Sequence, residues 1–240
     1  MALAKVIDQR FHCLHPIIMM TNKPAFAVAF DLDGTLIDNN QYHILSWQEF
    51  YRRRNRVLSI EDYKANFNGR TMPDAVKYAF QQPDMNEEEI DCHTDEKESL
   101  YRELYAPHIE PIKGLISLLE LLHSNHIPMV IATSGIQKNI DFMFAHIPIQ
   151  QYFKRVIRGS DITHGKPHPE IYQLAARELG LEPSCCIAFE DAMAGIQSAR
   201  GAGMKIIALT TTHTANELTG ADRIVENFEG IDIQNLLTLL

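Results

Sequence analysis

The chain has 240 residues, of which 45% are hydrophobic and 22% are charged, so it can form one large domain or a core with a smaller lobe. Its formal net charge of -9 argues against a nucleic-acid-binding surface, which normally needs a basic stripe. A small anionic ligand remains compatible with this charge, because a local group of cations can bind it. No apolar stretch reaches the roughly 20 residues that a bilayer-spanning helix needs, so we expect no membrane partner.

Two features bear on where the protein works. The four cysteines lack the C-x-x-C spacing of metal and redox sites, which favours free thiols in a cytoplasmic protein. Near the N-terminus, histidine and proline interrupt the apolar residues, so a signal peptide is not indicated. We expect residues 1–21 to be a poorly ordered N-terminal extension, with Met19 or Met20 as a candidate natural start.

Short apolar runs that alternate with helical patterns predict a parallel sheet. The first run, Ala25–Phe30, ends abruptly at acidic residues and a glycine, which is typical of a buried strand that leads into a functional loop. Similar runs follow at Pro128–Ala132, Arg155–Ile157, Cys186–Phe189 and Lys205–Leu209. We therefore predict an α/β fold, a Rossmann-like doubly wound parallel sheet, with a core domain made of residues 22–37 and 111–240.

The segment 38–110 interrupts this alternation of strands and helices. It contains no clear buried strand, and its aromatic residues are spaced as anchors of helices. The acidic stretch Glu87–Glu98 predicts a solvated helix. We therefore predict an all-helical cap domain, residues 38–110, inserted directly after the first strand and joined to the core by two hinges.

Two aspartates follow the first predicted strand, in the segment Asp31-Leu32-Asp33-Gly34-Thr35. In an extended segment, side chains two residues apart point the same way. A carboxylate is ionised at neutral pH, so Asp31 is a candidate nucleophile that attacks phosphorus and forms an aspartyl-phosphate. Asp33 is then a candidate general acid and base. The alternative is a pair of capping aspartates in a turn.

A hydroxyl pair, Thr133-Ser134, follows the second predicted strand and precedes Gly135. Hydroxyls and free backbone N–H groups at the start of a helix can hold a phosphate. By itself the pattern favours a simpler interpretation, in which a hydroxyl caps the helix.

A lysine lies in the stiff loop Gly165-Lys166-Pro167-His168-Pro169. Lys166 can neutralise a nucleophilic aspartate and a phosphate together, although an exposed loop lysine is the plain alternative. His164 and His168 suggest a metal pair, but Pro167 breaks helical spacing between them, so metal binding there is disfavoured.

Two adjacent acids, Glu190-Asp191, follow the fourth predicted strand. Beside Asp31 they would form a hard oxygen site suited to Mg²⁺, because without a cation the carboxylates repel one another. The alternative for one of them is a favourable position at a helix N-terminus. The carboxyl ends of parallel strands meet at one crevice, so we expect all four segments to converge there.

The ordered set DLDGT, TS, GKPHP and ED resembles the haloacid dehalogenase superfamily of phosphotransferases over residues 25–209. The resemblance implies a mobile helical cap, with Asp31 as nucleophile and Asp33 as acid and base. It further implies that Thr133 and Lys166 bind phosphate. It also implies a Mg²⁺ site with these ligands: Asp31, the backbone carbonyl of Asp33, Glu190 and Asp191. A true dehalogenase is disfavoured, because it needs neither the acid Asp33 nor the metal.

Within that superfamily the cap resembles the β-phosphoglucomutase branch and its phosphatase relatives. The segment from Asp38 to His43, followed by Trp47, is similar to the branch's hinge and first cap helix. There a histidine contacts the acid/base and couples cap closure to catalysis, which makes His43 a candidate for that role. The alternative for His43 is a packing residue on an amphipathic helix.

The loop Asn68-Gly69-Arg70-Thr71 resembles the substrate-specificity loop of that branch, which makes Gly69 and Arg70 candidate substrate-binding residues. The mutases place an arginine three residues after the glycine, where this chain has Met72. This departure favours hydrolysis. Arg70 is near enough to substitute for that arginine, or it faces solvent.

The combined prediction is a Mg²⁺-dependent phosphohydrolase that acts on a small phosphorylated metabolite, such as a sugar phosphate, through an aspartyl-phosphate. A phosphohexomutase of the β-phosphoglucomutase type is the main alternative. A non-enzymatic, phosphate-responsive module is a further alternative, which Asp33 and the large cap disfavour. We expect a monomer, although nothing in the sequence forbids a dimer.

Overall fold

The computed structural model describes residues 24–67 and 71–240. The expectation for residues 1–21 therefore falls outside the described part of the chain. Within the described ranges, no helix combines the length and the apolar character needed to cross a membrane.

Six parallel strands form one sheet in the order β3-β2-β1-β4-β5-β6. Their bounds are β1 Ala27–Phe30, β2 Met129–Thr133, β3 Arg155–Arg158, β4 Cys186–Glu190, β5 Lys205–Leu209 and β6 Arg223–Val225. The strand order reverses between β1 and β4, and in open parallel sheets ligands bind at such a switch point, outside the carboxyl ends of the strands.

Nine helices accompany the strands in the described part of the chain. Their bounds are α1 Asn40–Arg52, α2 Ile60–Asn66, α3 Met72–Phe80, α4 Glu87–Tyr105, α5 Leu115–Ser124, α6 Gln137–His146, α7 Glu170–Leu179, α8 Met193–Ala202 and α9 Ile233–Leu237. The helices α1 to α4 are inserted between β1 and α5, and the others follow the strands of the sheet.

The two faces of the sheet are covered by different side chains. Val28 and Phe30 of β1 pack into one core with the leucines of α5, whereas Ala27 and Ala29 pack into a second core with α7 and α8. This is the alternation of a strand buried on both faces. The inserted helices have a separate core built around Trp47 and its aromatic neighbours. The predicted doubly wound parallel sheet with a helical insertion is confirmed.

The predicted sheet lacked one strand. β6 pairs with β5 at the edge of the sheet and spans only Arg223–Val225. Its three side chains are half-buried or exposed. A run of three residues is too short to show a strand pattern in the sequence.

Candidate active site

The carboxyl ends of β1, β2 and β4 open into one cleft of about 310 Å³. The described lining includes the predicted residues Asp31, Asp33, His43, Ser134, Lys166, Glu190 and Asp191. The cleft lies between the sheet and the helices α1, α3 and α4, so it has a floor from the core and a roof from the inserted helices. The expected convergence of the strand-end segments is therefore present in the fold.

Lys166 binds two carboxylates on the floor of the cleft. Its Nζ lies 2.5 Å from Oδ1 of Asp31 and 2.6 Å from Oε1 of Glu190, and it donates to the carbonyl of Ala132 at 3.1 Å. The hydroxyl of Tyr172 donates to the same Glu190 oxygen at 2.5 Å. All of the charged groups are buried or nearly so, so Lys166 is not an exposed loop lysine.

Burial and crowding shift the pKa values on this floor. Burial raises the pKa of Asp31 well above its usual range; Lys166 opposes this rise, and the neighbouring carboxylates add to it. Burial and Glu190 likewise raise the pKa of Asp191. Burial disfavours charge on Lys166, but Asp31 and Glu190 outweigh it and raise the pKa of the ammonium, which stays protonated.

The three acids on the floor have the chemistry of a hard-cation site. Carboxylate oxygens of Asp31, Glu190 and Asp191 all lie within 4.8 Å of one another. Oxygen ligands of this kind suit Mg²⁺, and a divalent cation would favour the charged carboxylates that burial and mutual repulsion disfavour. Because Oε1 of Glu190 already accepts from Lys166 and Tyr172, Glu190 has fewer free lone pairs than the two aspartates.

Two glycines allow these carboxylates to approach the backbone. Gly34 has φ of +74°, and a Cβ there would collide with the carboxylate of Asp191. Gly195 lies in the first turns of α8, and a Cβ there would overlap the carboxylate of Glu190. The arrangement of these carboxylates therefore requires glycine at both positions.

Asp33 is held by residues of the hinge and of α1. The amide of Asn39 donates to Oδ1 of Asp33 at 2.6 Å and to the Tyr101 hydroxyl at 2.7 Å, while its own oxygen accepts from the Gly34 N–H. The Nε2 atom of His43 lies 3.9 Å from the same Asp33 oxygen. Burial disfavours charge on Asp33, but His43 and Asn39 outweigh it and lower the pKa of Asp33. The two aspartates thus have different environments, and their pKa values shift in opposite directions.

Thr133 is buried beneath the cleft, whereas Ser134 lines it. Thr133 is fully buried, and its Oγ1 accepts the backbone N–H of Gly135 at 2.8 Å. It does not cap α6, which begins at Gln137 after Ile136, so the capping interpretation is wrong. Ser134 lines the cleft.

A buried polar chain connects the roof of the cleft to the core. Nζ of Lys97 lies 2.8 Å from Nδ1 of His43 and 2.8 Å from Oε1 of Glu98. The amide of Asn139, on the core helix α6, donates to the other Glu98 oxygen at 2.7 Å, and Arg102 donates to the oxygen of Asn139. His43 therefore belongs to a polar network and is not simply a packing residue.

The prediction of a solvated helix at Glu87–Glu98 is wrong at its C-terminal end. Lys97 and Glu98 are only 1% and 3% exposed, whereas the first acids of α4 face solvent. The charge-rich composition concealed a helical stripe, because Ile90, Lys97 and Tyr101 recur at helix-face spacing and all are buried.

The specificity-loop prediction lies outside the described residues, since Asn68, Gly69 and Arg70 are not among them. The sequence interpretation also missed residues that line the cleft or hold its charged groups. They are Asn39, Lys97, Glu98, Asn139, Tyr172 and Thr212. A helical-stripe signal existed for Lys97, but none existed for Tyr172 or Asn139, whose roles arise only from tertiary packing.

Comparison with known proteins places this geometry in a family. A family model described as "Haloacid dehalogenase-like hydrolase" matches residues 28–209. The chain is 31% identical to validoxylamine A 7'-phosphate phosphatase of Streptomyces hygroscopicus subsp. limoneus, over 82% of this chain and 92% of that protein. It is 29% identical to fructose-1-phosphate phosphatase YqaB of Escherichia coli, over 74% of this chain and 93% of that protein.

A solved structure is similar over nearly the whole described chain. It is a haloacid dehalogenase hydrolase of family IA, variant 3, from Entamoeba histolytica, with a TM-score of 0.82 and 34% identity. The alignment covers 89% of this chain and 98% of that one. The family resemblance that the sequence motifs suggested is confirmed.

Proposed function

Because the chain belongs to the haloacid dehalogenase-like hydrolase family, we propose that it is a Mg²⁺-dependent phosphohydrolase that releases phosphate from a small sugar or polyol phosphate. The chain is an enzyme of the phosphatase or phosphomutase type. The observation that carries the proposal is the arrangement around Asp31, whose carboxylate lies beside one protonated lysine and two further acids at the switch point of the sheet.

Asp31 is the proposed nucleophile. It attacks the phosphorus of the substrate and forms an aspartyl-phosphate, while the alcohol leaves. Lys166 remains charged beside Asp31 and offsets the repulsion between the attacking carboxylate and the phosphate anion. The Ser134 side chain lies at the same floor and is the proposed donor to the phosphate oxygens. Thr133 supports that turn by accepting the Gly135 N–H.

Asp33 is the proposed acid and base. It gives a proton to the leaving oxygen and then takes one from the water that attacks the aspartyl-phosphate. Asn39 fixes the orientation of its carboxylate, and His43 approaches it from the inserted helices. The network through Lys97 and Glu98 would thereby make the position of Asp33 sensitive to the position of the cap.

Asp31, Asp191 and the backbone carbonyl of Asp33, with Glu190 beside them, are the proposed Mg²⁺ ligands. A cation held there would supply positive charge that offsets the negative charge of the phosphate oxygens and of the attacking carboxylate. Glu190 has a second task, because it also binds Lys166 and Tyr172 and so sets the position of the lysine.

Hydrolysis is favoured over a mutase reaction by the charges of the cleft. Of the described lining residues, Lys97 and Lys166 are the lysine or arginine members, and each already binds a carboxylate. A sugar bisphosphate bound across the cleft would need a second unpaired cation on the roof. In the described residues the roof offers aromatic rings and a charge-balanced polar chain, which fit a neutral polyhydroxylated leaving group. Its described members are Trp47, Tyr63, Phe67, Lys97 and Glu98, and Asn139 of the core helix α6 binds Glu98.

A panel of sugar and polyol phosphates, assayed for phosphate release with Mg²⁺, tests this proposal. We expect phosphate release from at least one member, and no release by Asp31→Asn. β-Glucose 1-phosphate with a trace of bisphosphate separates the two reaction types. Formation of glucose 6-phosphate in place of free phosphate would overturn the preference for hydrolysis and favour the mutase.

A further inference from the structure

A second group of metal-ligating side chains lies outside the cleft, on the loop that carries Lys166. The Nδ1 atom of His164 lies 3.0 Å from Oε2 of Glu170, and Nδ1 of His168 lies 3.9 Å from the same oxygen. One ligand atom from each of the three residues lies within 4.8 Å of the others. Both imidazoles are solvent-accessible, with 62% and 50% of their side-chain surface exposed, so an ion from solution can reach them.

The two distances from the histidines to the carboxylate are close to those of a tetrahedral metal site. Ligand bonds of about 2.0–2.1 Å at tetrahedral angles place neighbouring ligand atoms about 3.3 Å apart. The separation of His164 from Glu170 is already near this value, and His168 needs to approach by only a fraction of an ångström more. Rotation of an exposed imidazole achieves that shift without moving the backbone.

The carboxylate of Glu170 is already held in one orientation. The Glu170 carboxylate accepts the N–H of Thr163 at 2.8 Å and the N–H of His164 at 2.9 Å, which orients both of its oxygens. These contacts with Thr163 and His164 lower the pKa of Glu170 to about 2, so its carboxylate is ionised at neutral pH. A ligand that is oriented and charged in advance loses less entropy when it binds an ion.

The His168 backbone is anchored at both of its polar groups. Its N–H donates to the carbonyl of Gly165 at 3.0 Å, and its carbonyl accepts from the Ser198 hydroxyl of α8 at 2.6 Å. Prolines at positions 167 and 169 further restrict the loop. The sequence interpretation disfavoured a metal pair because Pro167 breaks helical spacing, but the fold brings the two histidines together in a loop, where helical spacing is not required.

We propose that His164, His168 and Glu170 form a binding site for a borderline transition-metal ion, with Zn²⁺ as the best fit and water as the remaining ligand. Two imidazole nitrogens and one carboxylate oxygen suit Zn²⁺, whereas Mg²⁺ prefers a set made of oxygens. The site is therefore chemically distinct from the acidic group at Asp31.

The position of this site gives it a structural consequence. The metal would close a ring through the chain from position 164 to 170, and that ring contains Lys166. Lys166 is the residue that binds both Asp31 and Glu190. Occupancy of the surface site would therefore restrict the loop backbone that carries Lys166.

A calorimetric titration of the full chain with Zn²⁺, in the presence of excess Mg²⁺, tests the proposal. The double variant His164→Ala/His168→Ala is compared with the matched variant His123→Ala/His146→Ala, which removes two surface histidines from the ends of α5 and α6. Zn²⁺ bound at the acidic cleft, or at histidines other than these four, is common to all three proteins. We expect the first variant to lose one bound equivalent that the wild type and the matched variant retain.

A second measurement guards against a folding defect in the variant. In the wild type, Zn²⁺ should shift the imidazole NMR signals of His164 and His168 before those of His123 and His146. Equal Zn²⁺ stoichiometry and affinity in both double variants, or unshifted signals of His164 and His168 at saturation, would overturn the proposal.

Discussion

Replacement of Lys97 by methionine tests the buried chain between the cap and the core. Both charges of the Lys97–Glu98 pair are nearly inaccessible, with 2% and 4% of the side-chain surfaces exposed. Removal of one partner from such a pair leaves an unpaired buried charge, which costs about 3–5 kcal/mol. An exposed pair contributes at most about 1 kcal/mol. We therefore expect Lys97→Met to lower the free energy of unfolding by about 3–5 kcal/mol.

An exposed ion pair that joins α4 to α6 is the matched control. Nζ of Lys138 on α6 lies 2.7 Å from Oδ2 of Asp95 on α4, but these side chains are 60% and 56% exposed. Lys138→Met should therefore cost no more than about 1 kcal/mol. Urea unfolding can be followed by the fluorescence of Trp47, the single tryptophan, whose ring lies 5.7 Å from Nζ of Lys97.

A double-mutant cycle completes this test. In Lys97→Met/Glu98→Gln no unpaired charge remains, so the loss should be smaller than the sum of the two single losses. The reasoning is refuted if Lys97→Met costs no more than Lys138→Met, or if the losses of the two single variants simply add.

Three further outcomes are expected. Gly195→Ala should reduce phosphate release about tenfold or more, because the added Cβ displaces the Glu190 carboxylate. A tenfold loss corresponds to about 1.4 kcal/mol in the activation barrier. The control Gly201→Ala lies in the same helix, its added Cβ meets Pro169 at 3.3 Å, and it should remain active. Burial disfavours charge on Glu98, but Lys97, His43 and Asn139 together outweigh it and lower the pKa of Glu98. Glu98 should therefore contribute stability at pH values above about 4.5 that is lost as the pH falls further, and urea unfolding at pH 7 and pH 4 should show a larger loss in the wild type than in Glu98→Gln. Removal of divalent cations with EDTA should abolish phosphate release and added Mg²⁺ should restore it, as a colorimetric phosphate assay would show; undiminished release in EDTA would exclude the proposed metal site.

The floor of the cleft could be predicted from sequence because its residues follow strands. Asp31 comes directly after β1 and Glu190 ends β4, and parallel strands bring their carboxyl ends to one edge. Local sequence thus determined the place of these side chains once the strands were recognised. Lys166 required the motif as well, because it lies in a loop beyond β3.

The roof of the cleft could not be predicted in the same way. Lys97 is a charged residue in a charge-rich helix, and only its position on the same face as Ile90 and Tyr101 distinguishes it from a solvated lysine. The contact between Glu98 and Asn139 joins residues 41 positions apart, on the inserted helix α4 and the core helix α6. No sequence spacing encodes that contact, because it depends on how the inserted helices sit on the sheet.

Chemical trapping of the reaction intermediate tests the identity of Asp31 as nucleophile most directly. Borohydride reduces an acyl phosphate to an alcohol, so enzyme quenched during turnover should carry homoserine in place of aspartate. We predict that peptide mass spectrometry finds this change at Asp31, and that Asp31→Asn shows neither the change nor phosphate release. Modification at Asp33 or another carboxylate, or turnover retained by Asp31→Asn, would contradict the account.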